Sequence, residues 1–313
     1  MNGMKKLVRS SLSCLLTLLP MVMACQSSAS DQQTAPQTFI AGLSGDYLGQ
    51  APPGTALRRF ASGIVPEDMY HSVTVSPDGR EIYWADRHRG IMVTRRMDDR
   101  WTTPALVSFS GRLVSGGQSE DDAPVVSPDN TRLFFNSLRS YRPGVTGWHF
   151  WYSERTASGW SAPQPMPEVV NSTGGIHWQT SVAASGTFYF GVFSTTGGVA
   201  RTSIYYSGLV NGSYAAPEPL TAVNSVAQAV CPFIAPDESY IIFNKLAADG
   251  QMPEGYYISF KGSDGQWLAP QRLSQLPAGE ESSFVTRDGR YVFSKAYWAS
   301  TQIIEDLRPG GRR

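Results

Sequence analysis

The chain is poor in cysteine, in charge and in helical patterning, and each shortage removes a class of protein. It has three cysteines, Cys14, Cys25 and Cys231, in 313 residues. A disulfide framework or a cysteine-rich metal cluster needs more. Charged residues make up only 17% of the chain, and their signs cancel to a formal net charge of zero. That leaves no basic footprint for a nucleic acid. Amphipathic spacing of three and four residues is almost absent, which argues against helix bundles. Long apolar runs are missing except near the start, where the mostly apolar stretch Leu12 to Met23 is too short and interrupted to cross a bilayer as a helix. No G-x-S-x-G, H-E-x-x-H or phosphate-binding loop occurs.

The first 24 residues read as a secretory signal. Lys5, Lys6 and Arg9 precede the apolar stretch, which ends in Val22-Met23-Ala24-Cys25. This ending resembles the bacterial lipobox, in which the cysteine is lipidated before cleavage. The resemblance implies a mature chain that starts at Cys25 and is held to a membrane by its acyl chains. About 0.8 kcal/mol per buried methylene makes two or more chains a durable anchor. Gln26, rather than aspartate, after the cysteine favours the outer membrane, facing the periplasm or the surface. Removing residues 1–24 takes away those three basic residues and no acid, leaving 23 Lys and Arg against 26 Asp and Glu, a formal charge of −3. Residues 25–37 are rich in Ser, Gln and Thr and read as a flexible tether of about 20 Å reach. Residues 38–313 form the one remaining domain, in which Cys231 is expected to be a small core residue.

What the chain has in plenty is one repeated hairpin. The segments "VTVSPDGREIYW", "PVVSPDNTRLFF", "TSVAASGTFYF", "PFIAPDESYIIF" and "SFVTRDGRYVF" align on Asp78, Asp129, Ser185, Asp237 and Asp288, at spacings of 51, 56, 52 and 51 residues. Pro77 presets the second position of a type I turn, Asp78 suits the third, and Gly79 can enter the left-handed region that follows. Glu238 fills that last position in the fourth copy, where the expectation is strain of about 1 kcal/mol, relieved by Glu238→Gly. A second hairpin follows each of the first four copies and carries Trp101, Trp160, Tyr214 or Trp267, whose recurrence points to packing between repeats. Two hairpins in about 50 residues make one four-stranded propeller blade.

The fold class expected is therefore all-β, a β-propeller of five four-stranded blades. A sixth blade, the alternative, would have to come from residues 38–55, which are too few and too rich in Gly and Pro. The last repeat has room for one more strand, assigned to Thr301–Arg308, but not for a fourth. An N-terminal strand within Ala56–Val65 supplies it and closes the ring.

The "SPDG" turn before an aromatic strand resembles the TolB-like, WD40-like β-propeller repeat family. "YLGQAPPG", "FASGIV", "VNS" at 170–172, "APDESYIIF" and "IIEDLRP" are similar to a bacterial branch of secreted proteins and lipoproteins. The resemblance covers nearly the whole mature chain and implies a binding scaffold before an enzyme. One departure stands out. Family strands open with aspartate where this chain has Gly90, His149, Ser203 and Gly255.

Innermost strands line a propeller's channel, so residues eight and seven before each turn position should ring one mouth. These are Tyr70 and His71, Asp121 and Asp122, His177 and Trp178, Ala229 and Val230, and Glu280 and Glu281. His71, Asp121, Asp122, His177, Trp178, Glu280 and Glu281 are the candidate ligand-binding residues, and Cys25 is the lipidation site. No catalytic residue is assigned and no cofactor is implied. A divalent cation, or a cationic group on a partner, would relieve the repulsion among these acids. The function expected is a monomeric, membrane-tethered, non-catalytic platform for an envelope protein or a cell-wall glycan. The alternative is a carbohydrate-active enzyme using the channel carboxylates. Three carboxylates converging from different blades would favour the enzyme. The anchor is tested by Cys25→Ser, which is expected to move the protein from the detergent phase to the aqueous phase without changing its melting temperature. Equal partitioning of variant and wild type would refute lipidation.

Overall fold

The computed structural model describes residues 37–310, apart from residues 115, 197, 198, 249, 251 and 252. The chain divides into the units Met1–Pro36 and Gln37–Arg313. The signal, Cys14, Cys25 and nearly all of the tether lie outside the described residues.

Residues from Gln37 on form five antiparallel sheets arranged in a ring, a five-bladed β-propeller. Each blade begins with an innermost strand: Thr74–Val75, Asp121–Val126, Ile176–Val182, Ala229–Ile234 and Ser283–Val285. The repeated turn then leads into a second strand, Glu81–Asp86 in blade 1 and Arg132–Ser137, Phe188–Thr196, Tyr240–Leu246 and Tyr291–Ser294 in the others. In all five turns the amide of the fourth residue donates to the carbonyl of the first, at 2.8–2.9 Å. The aspartates earn their place with their side chains. Asp78, Asp129 and Asp288 each accept from a Ser or Thr hydroxyl two residues earlier and from the amide two residues later.

Second strands are covered on both faces, which explains their continuous apolar letters. Leu133 and Phe135 pack towards blade 1 with Tyr83, whereas Phe134 between them packs towards blade 3 with Phe188 and Phe190. The apolar clusters thus lie between blades. Trp160 of blade 2 reaches into the cluster it shares with blade 1 and donates its indole N–H to the hydroxyl of Tyr83 at 3.0 Å. Tyr83 donates in turn to Glu81, which Arg95 and Arg155 neutralise at 3.0 and 2.6 Å. Trp101, Tyr214 and Trp267 also pack against the clusters between blades.

The last blade takes its outermost strand, Arg58–Arg59, from the N-terminal side, paired with Tyr297–Ser300. The segment expected as a strand at Thr301–Arg308 is instead a single helical turn, Gln302–Glu305. Tyr297–Ser300 already occupies the third-strand position. The turn that follows buries the adjacent Ile303 and Ile304, and Arg308 pairs with Glu305 three residues back. Residues 38–55 make no blade. Phe39–Ser44 extends the outer side of blade 1, and Tyr47 and Leu48 are buried where blades 1 and 5 meet.

Glu238 has φ of +59°, as the turn register demands. The expected gain from glycine there needs correction, because the hydroxyl of Tyr189 in blade 3 donates to Glu238 Oε1 at 2.6 Å. A hydrogen bond to a charged group contributes about 1.5–3 kcal/mol, more than the strain of about 1 kcal/mol. Glu238→Gly is therefore expected to lower the melting temperature in the wild type and to raise it in a Tyr189→Phe background. Thermal melts of the four proteins of this cycle measure the coupling, and a cycle without coupling would show that the pair contributes nothing.

Candidate functional site

The channel is closed at its turn end by one or more apolar residues from every blade, Val75, Val125, Val182, Phe233 and Phe284 among them, around a gap of about 30 Å³. At the other end lies a cavity of about 250 Å³, and here the polar residues of the repeat register gather. Local backbone features shape this mouth. Just beyond the register pair the innermost strands bulge, between Asp122 and Val125, Trp178 and Thr180, and Val230 and Phe233. Ala123 and Cys231 take left-handed φ of +50° and +53°, and Pro124 and Pro232, which cannot donate to a ladder, follow them in the bulges.

Five of the seven candidate residues line the cavity: His71 from blade 1, Asp122 from blade 2, His177 and Trp178 from blade 3, and Glu281 from blade 5. Tyr70, Gln118, Asn136 and Trp148 complete the wall. Asp121 and Glu280 are not part of it. Asp121 and Asp122 are neighbours on the strand Asp121–Val126 and point to opposite sides, so Asp121 is turned away, whereas Glu280 precedes the strand Ser283–Val285 and is drawn off by Lys295. Asp121 is buried against Arg139, whose Nη2 donates to it at 3.0 Å, and accepts from the Ser110 hydroxyl at 2.8 Å. Glu280 forms an ion pair with Lys295 at 2.7 Å. Nearby Glu120 is buried between Arg112 and Arg139, and Glu67 pairs with Arg59 at the surface. Ala229 and Val230 are fully buried and apolar.

His71 lies with Nδ1 3.2 Å from Asp122 Oδ2. Burial opposes its protonation, but Asp122 and, further off, Glu281 outweigh burial and the charge of Lys295, so its pKa is raised. The Glu281 carboxyl is also raised. Burial is the main cause, Asp122 and Glu280 add to it, and His71 and Lys295 only partly offset it. Beneath Glu281 the fully buried Cys231 places its sulfur 3.9 Å from Oε2. Burial, then Glu281 and Asp122, hold its thiol well above the usual range, which makes it an unreactive core residue. Among the described residues, no group of three or more His, Cys, Asp or Glu side chains converges closely enough to hold a metal ion.

Sequence reasoning missed Lys295, Gln118 and Asn136. Asn136 could have been found. It occupies the same place in its second strand as Asn244, and each side-chain amide donates to a backbone carbonyl at the start of the next blade, His177 and Glu280, at 3.0 Å. Lys295 stands at the same place, seven residues past Asp288, but its side chain differs from the two asparagines and its partner is the Glu280 carboxylate.

His177 and His149 meet through their Nδ1 atoms at 3.2 Å. A bond between two such nitrogens holds one proton, so the two rings cannot both carry a proton on Nδ1, and burial lowers the pKa of each. Burial first, then the neighbouring His149, bring the His177 pKa down to about 4. The unfolded chain, with a histidine near 6.5, takes up this proton first as pH falls. The stability contributed by neutral His177 is therefore complete above about pH 6.5 and is lost between there and pH 4, to a total of about 3 kcal/mol. His71 has the opposite sign, since its raised pKa favours the folded state below the unfolded value and loses that advantage as pH rises. Urea midpoints measured from pH 7 to pH 4 are expected to fall less steeply in His177→Gln than in wild type. Parallel curves would show that this pair does not titrate in the window.

No family model and no curated protein matches the chain. Solved structures match it in fold alone. A protein assigned as TolB from Agrobacterium tumefaciens is 15% identical, with 72% of this chain and 70% of that chain covered at a TM-score of 0.45. An α-L-arabinofuranosidase from Lactobacillus brevis is 13% identical, with 74% and 83% covered at 0.45. A xylan β-1,4-xylosidase from Bacillus halodurans C-125 is 13% identical, with 74% and 49% covered at 0.48. The chain is similar to these propellers in architecture.

Proposed function

We propose that this propeller is a non-catalytic binding protein of the bacterial envelope, tethered through Cys25 to the outer membrane. In this reading its channel mouth receives a group displayed by an envelope protein or a cell-wall glycan. One observation carries it. Of the four register acids, Asp121 and Glu280 are neutralised by Arg139 and Lys295, and only Asp122 and Glu281 line the cavity, with His71 beside Asp122. The three-carboxylate convergence that would favour hydrolysis is not formed by these residues. Aromatic and amide side chains fill most of the rest of the wall, a lining suited to holding a ligand.

Glycoside hydrolysis is the second reading, and it draws on Glu281. A carboxyl raised by burial beside a second carboxylate is the pattern of an acid and base pair. The two readings separate in one pair of assays with Asp122→Asn/Glu281→Gln. Binding predicts that solubilised envelope partners captured by wild type drop at least tenfold with the double variant, while neither protein turns over aryl glycosides. Turnover by wild type that the double variant lacks would replace the platform reading with the enzyme. Identical capture by the two proteins would refute the cavity as the binding site.

A further inference from the structure

Resting on that reading, we propose that the group taken by the channel-mouth cavity is an organic ammonium, a protonated or quaternary amine, held by Asp122 and Glu281 and walled by Trp148 and Trp178. The first argument is charge. Two cations around the mouth are already balanced by carboxylates, Lys295 by Glu280 at 2.7 Å and Arg139 by Asp121, while Arg87 stacks on Tyr70 at 4.0 Å from its ring centre and does not line the cavity. Asp122 and Glu281 share the cavity with two imidazoles, His71 and His177, and burial holds His177 neutral. With His71 protonated and both carboxyls ionised, the state a bound cation favours, one negative charge remains for that ligand to neutralise.

The second argument is independent of the acids. Asn136 is 2% exposed and lines the cavity. Its amide nitrogen is spent on the carbonyl of His177, and its amide oxygen has no partner. A buried acceptor left unpaired is destabilising, and a ligand N–H or a polarised N–CH₃ edge would satisfy it.

The third argument concerns shape. Indole rings attract cations through their negative faces, most strongly where water is excluded. Trp178 is held in place by an edge-on contact with Phe193, ring centres 5.8 Å apart. The volume of about 250 Å³ suits an ammonium head with a short carbon stem, the end of a larger molecule rather than its length. A compact metal ion would need three or more converging ligands, which the described residues do not provide. A diffuse organic cation needs only acceptors on one side and rings on the other.

The test uses the full-length protein in detergent, with calorimetric titration of choline, glucosamine and Nα-acetyl-lysine amide. Their uncharged counterparts are 3,3-dimethylbutanol, N-acetylglucosamine and Nα,Nε-diacetyl-lysine amide. At least one amine is expected to bind at least tenfold more tightly than its counterpart. Asp122→Asn and Trp178→Ala should each weaken that amine at least tenfold while their melting curves stay cooperative. If Asp122→Asn melts early, Trp178→Phe, which keeps a ring, should retain binding that Trp178→Ala loses. The preferred amine distinguishes a glycan amino sugar from a protein lysine or a choline head. Equal affinity for charged and uncharged probes would overturn the ammonium assignment and leave the binding reading standing. Absence of binding by all three amines would also overturn it, and capture of envelope partners would then judge the platform reading alone.

Discussion

Closure of the ring is the constraint on which everything else rests. A blade buries neither face by itself, because its apolar side chains belong to clusters shared with its neighbours. An open arc of five blades would leave two such faces in water. The chain avoids this by pairing Arg58–Arg59 with Tyr297–Ser300, strands more than 230 residues apart. The joint is reinforced near the channel. Ser72 exchanges two hydrogen bonds of 2.9 Å with Ser282, and the amide of Lys295 donates to the Ser72 hydroxyl at 2.7 Å. On the outer side Tyr47 donates to Asp288 at 2.8 Å, and its ring meets Tyr291 edge-on at 5.0 Å. The largest apolar cluster lies at this seam, where entropy lost in joining distant segments must be offset.

Every other seam near the channel is also fastened by a polar side chain. Thr74 donates to the carbonyl of Pro124 between blades 1 and 2, and Asn136 to that of His177 between blades 2 and 3. The amide of Ile234 donates to Ser181 between blades 3 and 4, and Asn244 bridges Glu280 and Ser282 between blades 4 and 5. These contacts hold the mouth residues at fixed spacing, so a cavity lined from several blades can present a defined set of acceptors. Similar economy appears at the third strands. Asn171 and Asn224, each in a V-N-S triplet, use their side-chain amides to satisfy both backbone groups of Phe150 and Ile204, standing in for a missing stretch of strand.

Much of this architecture could be read from the letters because it is local. A turn needs Pro, Asp and Gly in order within four residues, and a second strand between two blades needs an unbroken apolar run. Both requirements recur at a spacing of about 50 residues and announce five blades. The same register led to the mouth, so five of seven candidate residues meet in one cavity. Even the bulges carry a local mark, since Pro124 and Pro232 interrupt strands that are otherwise well patterned.

What the letters could not settle depends on neighbours far away in the chain. Asp121 and Asp122 are the same residue type side by side, and only the pleat and the position of Arg139 send one into an ion pair and the other into the cavity. Glu238 looks merely strained until Tyr189 of the preceding blade is found beside it. Gln302–Glu305 has strand-like apolar content, but the third-strand position beside it was already taken by Tyr297–Ser300. The sequence by itself determined the repeat, its turns and the number of blades, because those follow from chemistry within a few residues. Tertiary structure alone decided which acids stay free to meet a ligand, because a charge is neutralised by whatever the fold brings within about 4 Å of it.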